Sequence, residues 1–204
     1  MLETGVKTSK YDGVIFDMDG TLVESSLDFD VLRRELEMSP GRGILEQINE
    51  MPPSRQSTAH SKLLEFELAG ARNAILNDGA EEILNELLSR RIPIALLTRN
   101  TRQSFEIVSK KFPIMKNFDI VMCREDGVIK PEPDGIILAC RKMGIVPQKT
   151  LCVGDFEFDM LAARAAGAIG VLLTTHPNWK NYADKADYII NDLPALLNIF
   201  DSRD

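Results

Sequence analysis

Short runs of apolar residues, each bounded by turn-forming residues, recur along the chain. The runs cover residues 14–16, 94–97, 120–122, 151–153, 170–173 and 188–190. They are too short for typical helices and are apolar at nearly every position, which is the pattern of strands buried on both faces. The hydrophobic pattern therefore predicts six buried strands.

Segments with helical periodicity separate these runs. One apolar helical face precedes the second run and consists of Ala80, Ile83, Leu84, Leu87 and Leu88. A second precedes the fourth run and consists of Ile136, Cys140 and Met143, with Pro133 near its start and Gly144 as a stop signal. Alternating strands and helices predict an α/β fold, a Rossmann-like parallel sheet flanked by helices.

The stretch between Glu24 and Asn77 interrupts this alternation. It contains no strand-like run, and its apolar positions, such as Leu64, Leu68, Ala71 and Ile75, follow a helical period. A break is expected at residues 52–53, which are both proline. We therefore predict a small all-helical cap domain of residues 24–77, inserted into a Rossmann-like core domain of residues 1–23 and 78–204.

Composition narrows the range of functions. A chain of 204 residues is long enough to form a core without disulfides, so we interpret the three cysteines as small buried hydrophobic residues. A net charge of -7 argues against a nucleic-acid partner, because phosphate backbones are bound by clustered lysine and arginine. No run approaches the ~20 apolar residues of a membrane span, and residues 1–10 lack the apolar stretch of a secretory signal. A cytoplasmic location without membrane partners is the resulting expectation.

Polar and charged residues cluster at the predicted strand ends. In open α/β sheets, ligands bind beyond the carboxyl ends of the strands, so residues beside the apolar runs are candidates for the site. These candidates are Asp17, Asp19, Thr98, Arg99, Asn100, Lys130, Asp155 and Asp159.

Several carboxylates brought to one sheet edge would repel each other strongly in a partly dry cleft. A bound cation removes this repulsion. Oxygen ligands without histidine or cysteine favour a hard ion, and a site that also takes a phosphate favours Mg²⁺. The sequence therefore predicts a magnesium site.

The candidate residues also fit a phosphoryl-transfer mechanism. Asp17 is ionised at neutral pH from its reference pKa of about 3.9, so it can attack phosphorus without a separate base. Asp19, close to another anion, can carry a raised pKa and act as general acid and then general base. Lys130 and Thr98 can neutralise and position the phosphoryl oxygens.

The order of these motifs resembles the haloacid dehalogenase (HAD) superfamily of phosphatases from Val14 to about Leu197. The first motif reads Asp17-Met18-Asp19-Gly20-Thr21-Leu22-Val23, the second Leu96-Leu97-Thr98-Arg99-Asn100, the third Lys130-Pro131, and the fourth Gly154-Asp155 with Asp159. The resemblance implies that Asp17 is the nucleophile and a metal ligand, and that Asp19 is the acid/base and a ligand through its carbonyl. It also implies that Thr98 and Lys130 bind phosphate, that Asp155 binds the metal directly, and that Asp159 does so directly or through water.

Two neighbours in the second motif have open roles. Arg99 and Asn100 are candidate phosphate-binding residues, but Asn100 can instead cap the following helix and Arg99 can lie at the surface. Six charged or titratable residues of the predicted cap are candidates to contact the non-reacting part of a substrate, although each alone is expected to belong to the solvated face; they are Arg33, Arg34, Arg42, Arg55, His60 and Lys62. We also expect His176 to be solvated and Trp179 to pack on the same loop.

The resemblance further implies that the helical insertion is a cap placed just after the first motif. We predict a Mg²⁺-dependent phosphohydrolase that cleaves a small phosphate monoester, of the phosphoglycolate or sugar-phosphate type, through an aspartyl phosphate. Its expected partner is that phosphorylated small molecule, and its expected state is a monomer or weak homodimer.

Three alternative functions share parts of this pattern. A phosphomutase resembling β-phosphoglucomutase would return the phosphoryl group to a sugar, but the short cap favours hydrolysis. A dehalogenase has no use for a Mg²⁺ site, so Asp19 and Asp155 argue against it. A non-enzymatic phosphoreceiver carries its phosphorylated Asp on a later strand than its acidic pair, whereas Asp17 and Asp19 both follow the first strand.

Overall fold

The computed structural model describes residues 9–25 and 27–202. Its strands are β1 (Gly13–Phe16), β2 (Val23–Glu24), β3 (Ile75–Leu76), β4 (Ile94–Leu97), β5 (Ile120–Met122), β6 (Thr150–Gly154), β7 (Ile169–Leu173) and β8 (Tyr188–Ile190). Its α-helices are α1 (Phe29–Glu35), α2 (Ile44–Glu50), α3 (Pro53–Asn73), α4 (Ala80–Ser89), α5 (Arg102–Lys111), α6 (Asp134–Met143), α7 (Glu157–Ala166) and α8 (Leu196–Asp201).

Six strands form one parallel sheet in the order β5-β4-β1-β6-β7-β8. They coincide with the six apolar runs of the sequence. Successive residues of β1 point to opposite faces, so Val14 and Phe16 enter one hydrophobic cluster and Ile15 enters another. Both faces of the sheet are covered, which is why the runs are apolar throughout rather than alternating.

Helices cover both faces of this sheet. Residues of α4 and α8 pack in the cluster of Val14 and Phe16, whereas residues of α6 and α7 pack in the cluster of Ile15. The predicted apolar face of α4 is buried, apart from Leu88, which packs against the cluster while partly exposed. Helix α6 ends at Gly144, whose φ of 72° is the left-handed conformation that glycine adopts readily. The predicted α/β fold is confirmed.

Along the chain, helices α1, α2 and α3 lie between β1 and β4, and they share a small hydrophobic core of their own. That core consists of Leu32, Leu36, Ile44, Leu45, Ile48, Ala59 and Leu63. Met51 ends α2 and Pro53 begins α3, as the two prolines suggested. The division into a core domain and a cap domain of residues 24–77 stays a prediction.

The expectation of a wholly helical stretch from Glu24 to Asn77 is wrong at its two ends. Strands β2 and β3 pair antiparallel, with Val23 opposite Leu76 and Glu24 opposite Ile75. Helix α3 ends at Asn73, and Ile75 is 59% exposed rather than part of the helix's buried face. A ladder of two residue pairs is too short to produce an alternating pattern, so it could not be predicted from the hydrophobic pattern.

The three cysteines, Cys123, Cys140 and Cys152, are free and buried, which confirms their interpretation as core residues. Burial raises the pKa of the Cys152 thiol well above its usual range. Within the described part of the chain, none of the helices combines the length and apolar character needed to cross a membrane.

Candidate active site

Three loops meet at the carboxyl end of the sheet because β1 lies between β4 and β6. Asp17 directly follows β1, Thr98 follows β4, and Asp155 follows β6. Asp159 lies in the first turn of α7. Carboxylate oxygens of Asp17, Asp155 and Asp159 lie within 4.8 Å of one another. The topology thus brings together three acidic residues that are up to 142 positions apart in sequence (159 − 17).

The ammonium group of Lys130 lies between two of these carboxylates. Its Nζ is 2.5 Å from Oδ1 of Asp17 and 2.6 Å from Oδ1 of Asp159. Burial lowers the pKa of Lys130, but attraction to Asp159 and Asp17 outweighs it, so the pKa lies above its ordinary value. Lys130 therefore stays charged although it is only 5% exposed.

Three carboxylates surround this single ammonium group, and their pKa values reflect the imbalance. Burial raises the pKa of Asp17 to about 7, even though Lys130 opposes the shift. The expectation of full ionisation at neutral pH from the reference pKa is therefore wrong for the site without a cation, because it took no account of burial. Burial, with repulsion from Asp159 and Asp17, raises the pKa of Asp155 well above its ordinary value. A buried, oxygen-only donor set with excess negative charge suits a hard divalent cation such as Mg²⁺.

Two glycines allow the acidic side chains to approach the backbone. A Cβ on Gly20 would lie 2.2 Å from Oδ2 of Asp155, and the φ of Gly20 is +76°. A Cβ on Gly154 would lie 2.1 Å from Cγ of Asp159. Space therefore requires glycine at both positions, and backbone conformation requires it at Gly20 as well.

The side chain of Asp19 lies beside Asn100, whose Nδ2 donates a hydrogen bond to Oδ2 of Asp19. Burial raises the pKa of Asp19 to about 6, while a hydrogen bond from Ser25 lowers it. Asn100 does not cap α5, because that role belongs to Thr101, whose side chain accepts from the amide of Ser104. Of the two alternatives for Asn100, helix capping is excluded.

Thr98 is 3% exposed, and its Oγ1 accepts a hydrogen bond of 3.1 Å from the amide of Asn100. It lies in the turn between β4 and α5, on the loop next to Asp17. Thr98 is not the helix cap either, because Thr101 holds that position.

Arg99 does not lie at the open surface, which was one of its alternatives. Its side chain is 19% exposed, and Nη1 donates to the carbonyl oxygen of Lys130. Nη2 lies 2.8 and 2.9 Å from the two carboxylate oxygens of Glu46, on α2. The guanidinium carbon is 4.4 Å from the centre of the Phe158 ring. Arg99 thus joins the second motif, the third motif and the helical insertion.

A second ion pair joins the insertion to the core. Arg124, in the short helical turn after β5, pairs with Glu67 of α3, and their side chains are 17% and 3% exposed. Arg124 also donates through Nε to the carbonyl oxygen of Arg99, at 2.9 Å. Glu46, Phe158, Ser25 and Glu67 were not predicted from the sequence. A charged or aromatic residue without a motif around it carries no sign of its distant partner.

Other charged residues of the insertion form ion pairs with one another, and their side chains are exposed except that of Arg33, which is half-buried. These pairs are Arg33 with Asp30, Arg42 with Glu50, Arg55 with Glu37, and Lys62 with Glu35. His176, by contrast, was expected in solvent and is half-buried. Its ring lies 5.1 Å from that of Phe156 and 5.6 Å from that of Tyr182, so it belongs to an aromatic cluster beside the fourth motif.

The chain is similar in sequence to hydrolases of one family. The family described as haloacid dehalogenase-like hydrolase matches residues 33–172. A haloacid dehalogenase-like hydrolase domain-containing protein of Arabidopsis thaliana is 30% identical over 184 residues, covering 84% of this chain and 74% of that protein. The phosphoglycolate phosphatase of Shigella boydii is 27% identical over 231 residues, covering 90% and 92% of the two chains.

A solved structure shares the fold. The haloacid dehalogenase-like family hydrolase of Streptococcus pneumoniae superposes with a TM-score of 0.73 at 24% identity, covering 94% of this chain and 99% of that one. The sequence-based resemblance is thereby confirmed. The chain belongs to the haloacid dehalogenase-like hydrolase family, and it is an enzyme of the family's phosphatase type.

Proposed function

We propose that this enzyme is a Mg²⁺-dependent phosphohydrolase that cleaves a small phosphate monoester through an aspartyl phosphate. The observation that carries the proposal is the cluster of Asp17, Asp155 and Asp159 within 4.8 Å, bridged by the Lys130 ammonium group. Such a cluster supplies a nucleophile, a cation site and a fixed positive charge at the same place.

The first half-reaction transfers the phosphoryl group to Asp17. A carboxylate oxygen of Asp17 forms the new bond to phosphorus, and the ester P–O bond breaks. Asp19 gives its proton to the leaving alkoxide. Its pKa of about 6 suits this role, because a group with a pKa near the working pH can both give and take a proton.

The second half-reaction releases inorganic phosphate. Water attacks the phosphorus of the aspartyl phosphate, the bond to Asp17 breaks, and Asp19 takes the proton from the water. Asp19 thus returns to its protonated state, and Asp17 returns to its carboxylate. Thr98, Asn100 and Lys130 hold the phosphoryl oxygens in line with Asp17.

The carboxylates of Asp17, Asp155 and Asp159, with the backbone carbonyl of Asp19, would hold Mg²⁺. When bound, the ion neutralises charge on the phosphoryl oxygens and on the carboxylates. We propose that helices α1, α2 and α3 act as a small cap over this site, joined to the core by the pairs Arg99–Glu46 and Arg124–Glu67.

The proposed substrate is a small monoester of the phosphoglycolate or sugar-phosphate type. A relative covering 90% of this chain is named a phosphoglycolate phosphatase, which supports the first of these. The small core of the insertion, seven buried apolar residues, indicates a compact cap and favours hydrolysis over return of the phosphoryl group to a sugar.

A screen of the purified protein against phosphate monoesters, with Mg²⁺ and with excess chelator, tests the proposal. We expect phosphate release that requires Mg²⁺ and is lost in Asp17→Asn. Conversion between phosphosugar isomers without free phosphate would instead identify a mutase. Release of halide from an added 2-haloacid in the presence of chelator would identify a dehalogenase. A phosphoprotein that persists for hours would identify a phosphoreceiver.

A further inference from the structure

We infer that Arg99 selects phosphate monoesters whose leaving group carries a second anionic group, a carboxylate or a phosphate. The inference rests on the proposed function and names the substrate class of the same site. In this arrangement the anion of the substrate takes the place of the Glu46 carboxylate on the Arg99 guanidinium.

Arg99 is held close to the proposed reaction centre by groups of that centre. Its Nη1 donates to the carbonyl oxygen of Lys130, the residue whose Nζ contacts Asp17 at 2.5 Å. Its guanidinium faces the ring of Phe158 at 4.4 Å, one residue before Asp159. Arg99 is also next in sequence to Thr98 and Asn100. A guanidinium held in this way is already oriented before substrate arrives, which favours binding.

Glu46, the charged partner of Arg99, can be displaced from the guanidinium by another anion. The Glu46 side chain is 42% exposed, so water can solvate its carboxylate when Arg99 releases it. That carboxylate also folds back over the start of α2, where a Cβ on Gly43 would lie 1.9 Å from its Oε2. Glu46 therefore keeps a favourable position near the positive end of the α2 helix without Arg99.

The second ion pair between the insertion and the core, Arg124–Glu67, is buried, so its carboxylate cannot be released to water. Glu67 is 3% exposed, and among the described residues nothing hydrogen-bonds its Oε2. Removing Arg124 from it would leave a buried, unpaired carboxylate, which is strongly unfavourable. Arg124–Glu67 is thus a fixed structural contact, while Arg99–Glu46 is the pair that a substrate can open.

The chemistry of the guanidinium defines the ligand class. Its Nη2 contacts both carboxylate oxygens of Glu46, at 2.8 and 2.9 Å, while Nη1 stays on the carbonyl oxygen of Lys130. The same nitrogen can bind an oxygen of a substrate carboxylate or phosphate through a charge-assisted hydrogen bond. A neutral leaving group offers no charge to replace Glu46, so its binding gains nothing from Arg99. The site should therefore discriminate between leaving groups of equal size and different charge.

Three substrates test this directly. Phosphoglycolate carries a carboxylate on its leaving group, the bisphosphate of ethane-1,2-diol carries a phosphate there, and 2-hydroxyethyl phosphate has a neutral leaving group of similar size. The readout is the ratio of kcat/KM for each anionic substrate to that for the neutral one. Arg99→Gln should lower the ratio about tenfold or more, as expected for loss of a hydrogen bond between charged groups. The two anionic substrates separate a carboxylate preference from a phosphate preference.

Glu46→Gln should change the ratio in the opposite direction. It removes the internal competitor, so we expect the KM of the anionic substrates to fall severalfold while that of 2-hydroxyethyl phosphate stays nearly constant. The matched controls are Arg102→Gln and Glu50→Gln, which remove the same charges from exposed pairs nearby. Both controls should leave the ratio unchanged.

Three results would overturn the inference. An equal loss on all three substrates in Arg99→Gln would assign Arg99 to positioning Lys130. A loss of activity on all three substrates in Glu46→Gln would show that the Arg99–Glu46 ion pair serves to hold the insertion against the core. Binding of the ligands to Asp17→Asn, measured by calorimetry, keeps this test separate from the proposed function because it needs no turnover. We expect this variant to bind phosphoglycolate about tenfold more tightly than 2-hydroxyethyl phosphate, and we expect the preference to disappear when Arg99 is also replaced by glutamine. Equal binding of the charged and neutral ligands would refute the inference even if hydrolysis is confirmed.

Discussion

Replacing Asp155 with asparagine should make the metal-free protein more stable. Asp155 is 8% exposed, and its carboxylate lies within 4.8 Å of those of Asp17 and Asp159. At an effective dielectric constant of about 20, each such repulsion is worth about 3 kcal/mol. Attraction between the Asp155 carboxylate and the Lys130 ammonium group offsets roughly one of these two repulsions. Asparagine keeps the size and removes the charge, so we expect the free energy of unfolding to rise by about 2–3 kcal/mol at pH 7.5 in chelator.

The pH dependence has a defined sign. Burial and the two neighbouring carboxylates hold the folded-state pKa of Asp155 above its value in the unfolded chain. The wild-type carboxyl group therefore carries no penalty below about pH 4, and the penalty grows as the pH rises above that value. The stability difference between Asp155→Asn and the wild type should accordingly be near zero at acidic pH and widen towards pH 8.

Thermal and urea unfolding, each with chelator and with Mg²⁺, measure these effects. A gain of 2–3 kcal/mol corresponds to an increase in Tm of about 5–10 °C for a chain of this size. Mg²⁺ should stabilise the wild type through binding to the folded state and stabilise the variant much less. Glu157→Gln is the control, because it removes a charge two positions away that pairs with Lys185 instead. A variant less stable than wild type in chelator, or one that Mg²⁺ stabilises as strongly, would refute the reasoning.

Three further predictions concern activity. Asp17→Asn should abolish phosphate release and keep the circular dichroism spectrum, while Asp19→Asn should fail at both proton transfers; near-normal kcat in either variant would contradict the assigned roles. Gly154→Ala places a Cβ 2.1 Å from Cγ of Asp159, so a Mg²⁺ titration of activity should show at least tenfold weaker activation, and unchanged activation would show that Asp159 is not a ligand. Ser25→Ala removes the hydrogen bond that lowers the pKa of Asp19. The pH profile of kcat should therefore move to higher pH by up to about one unit. A shift to lower pH would exclude Asp19 as the titrating group.

Much of the fold could be predicted because it depends on local pattern. Strands buried on both faces leave runs such as residues 94–97, where all four positions are apolar and buried. A parallel sheet places the carboxyl ends of all its strands at one edge, so Asp17 and Asp155 were expected at that edge. Their direct proximity depends on the pairing of β1 with β6, which the sequence does not mark. The glycines at positions 20 and 154 belonged to the predicted motifs, but the lack of space that requires them is visible only in the structure.

The remaining features depend on contacts that the sequence does not mark. The pairing of β2 with β3 involves four residues and has no periodicity. Arg99 and Glu46 are 53 positions apart, on elements whose relative placement follows from packing of the insertion. The burial of His176 likewise depends on Phe156 and Tyr182 closing around it. Such contacts become visible only when the tertiary structure is known.

A crystal structure with Mg²⁺ and beryllofluoride, a mimic of an aspartyl phosphate, tests the central claim most directly. We predict that beryllium is bonded to a carboxylate oxygen of Asp17, and that one Mg²⁺ contacts Asp17 and Asp155 with Asp159 nearby. Thr98 and Lys130 should contact the fluorides. Beryllofluoride bonded to another residue, or Mg²⁺ bound away from the three carboxylates, would contradict the account.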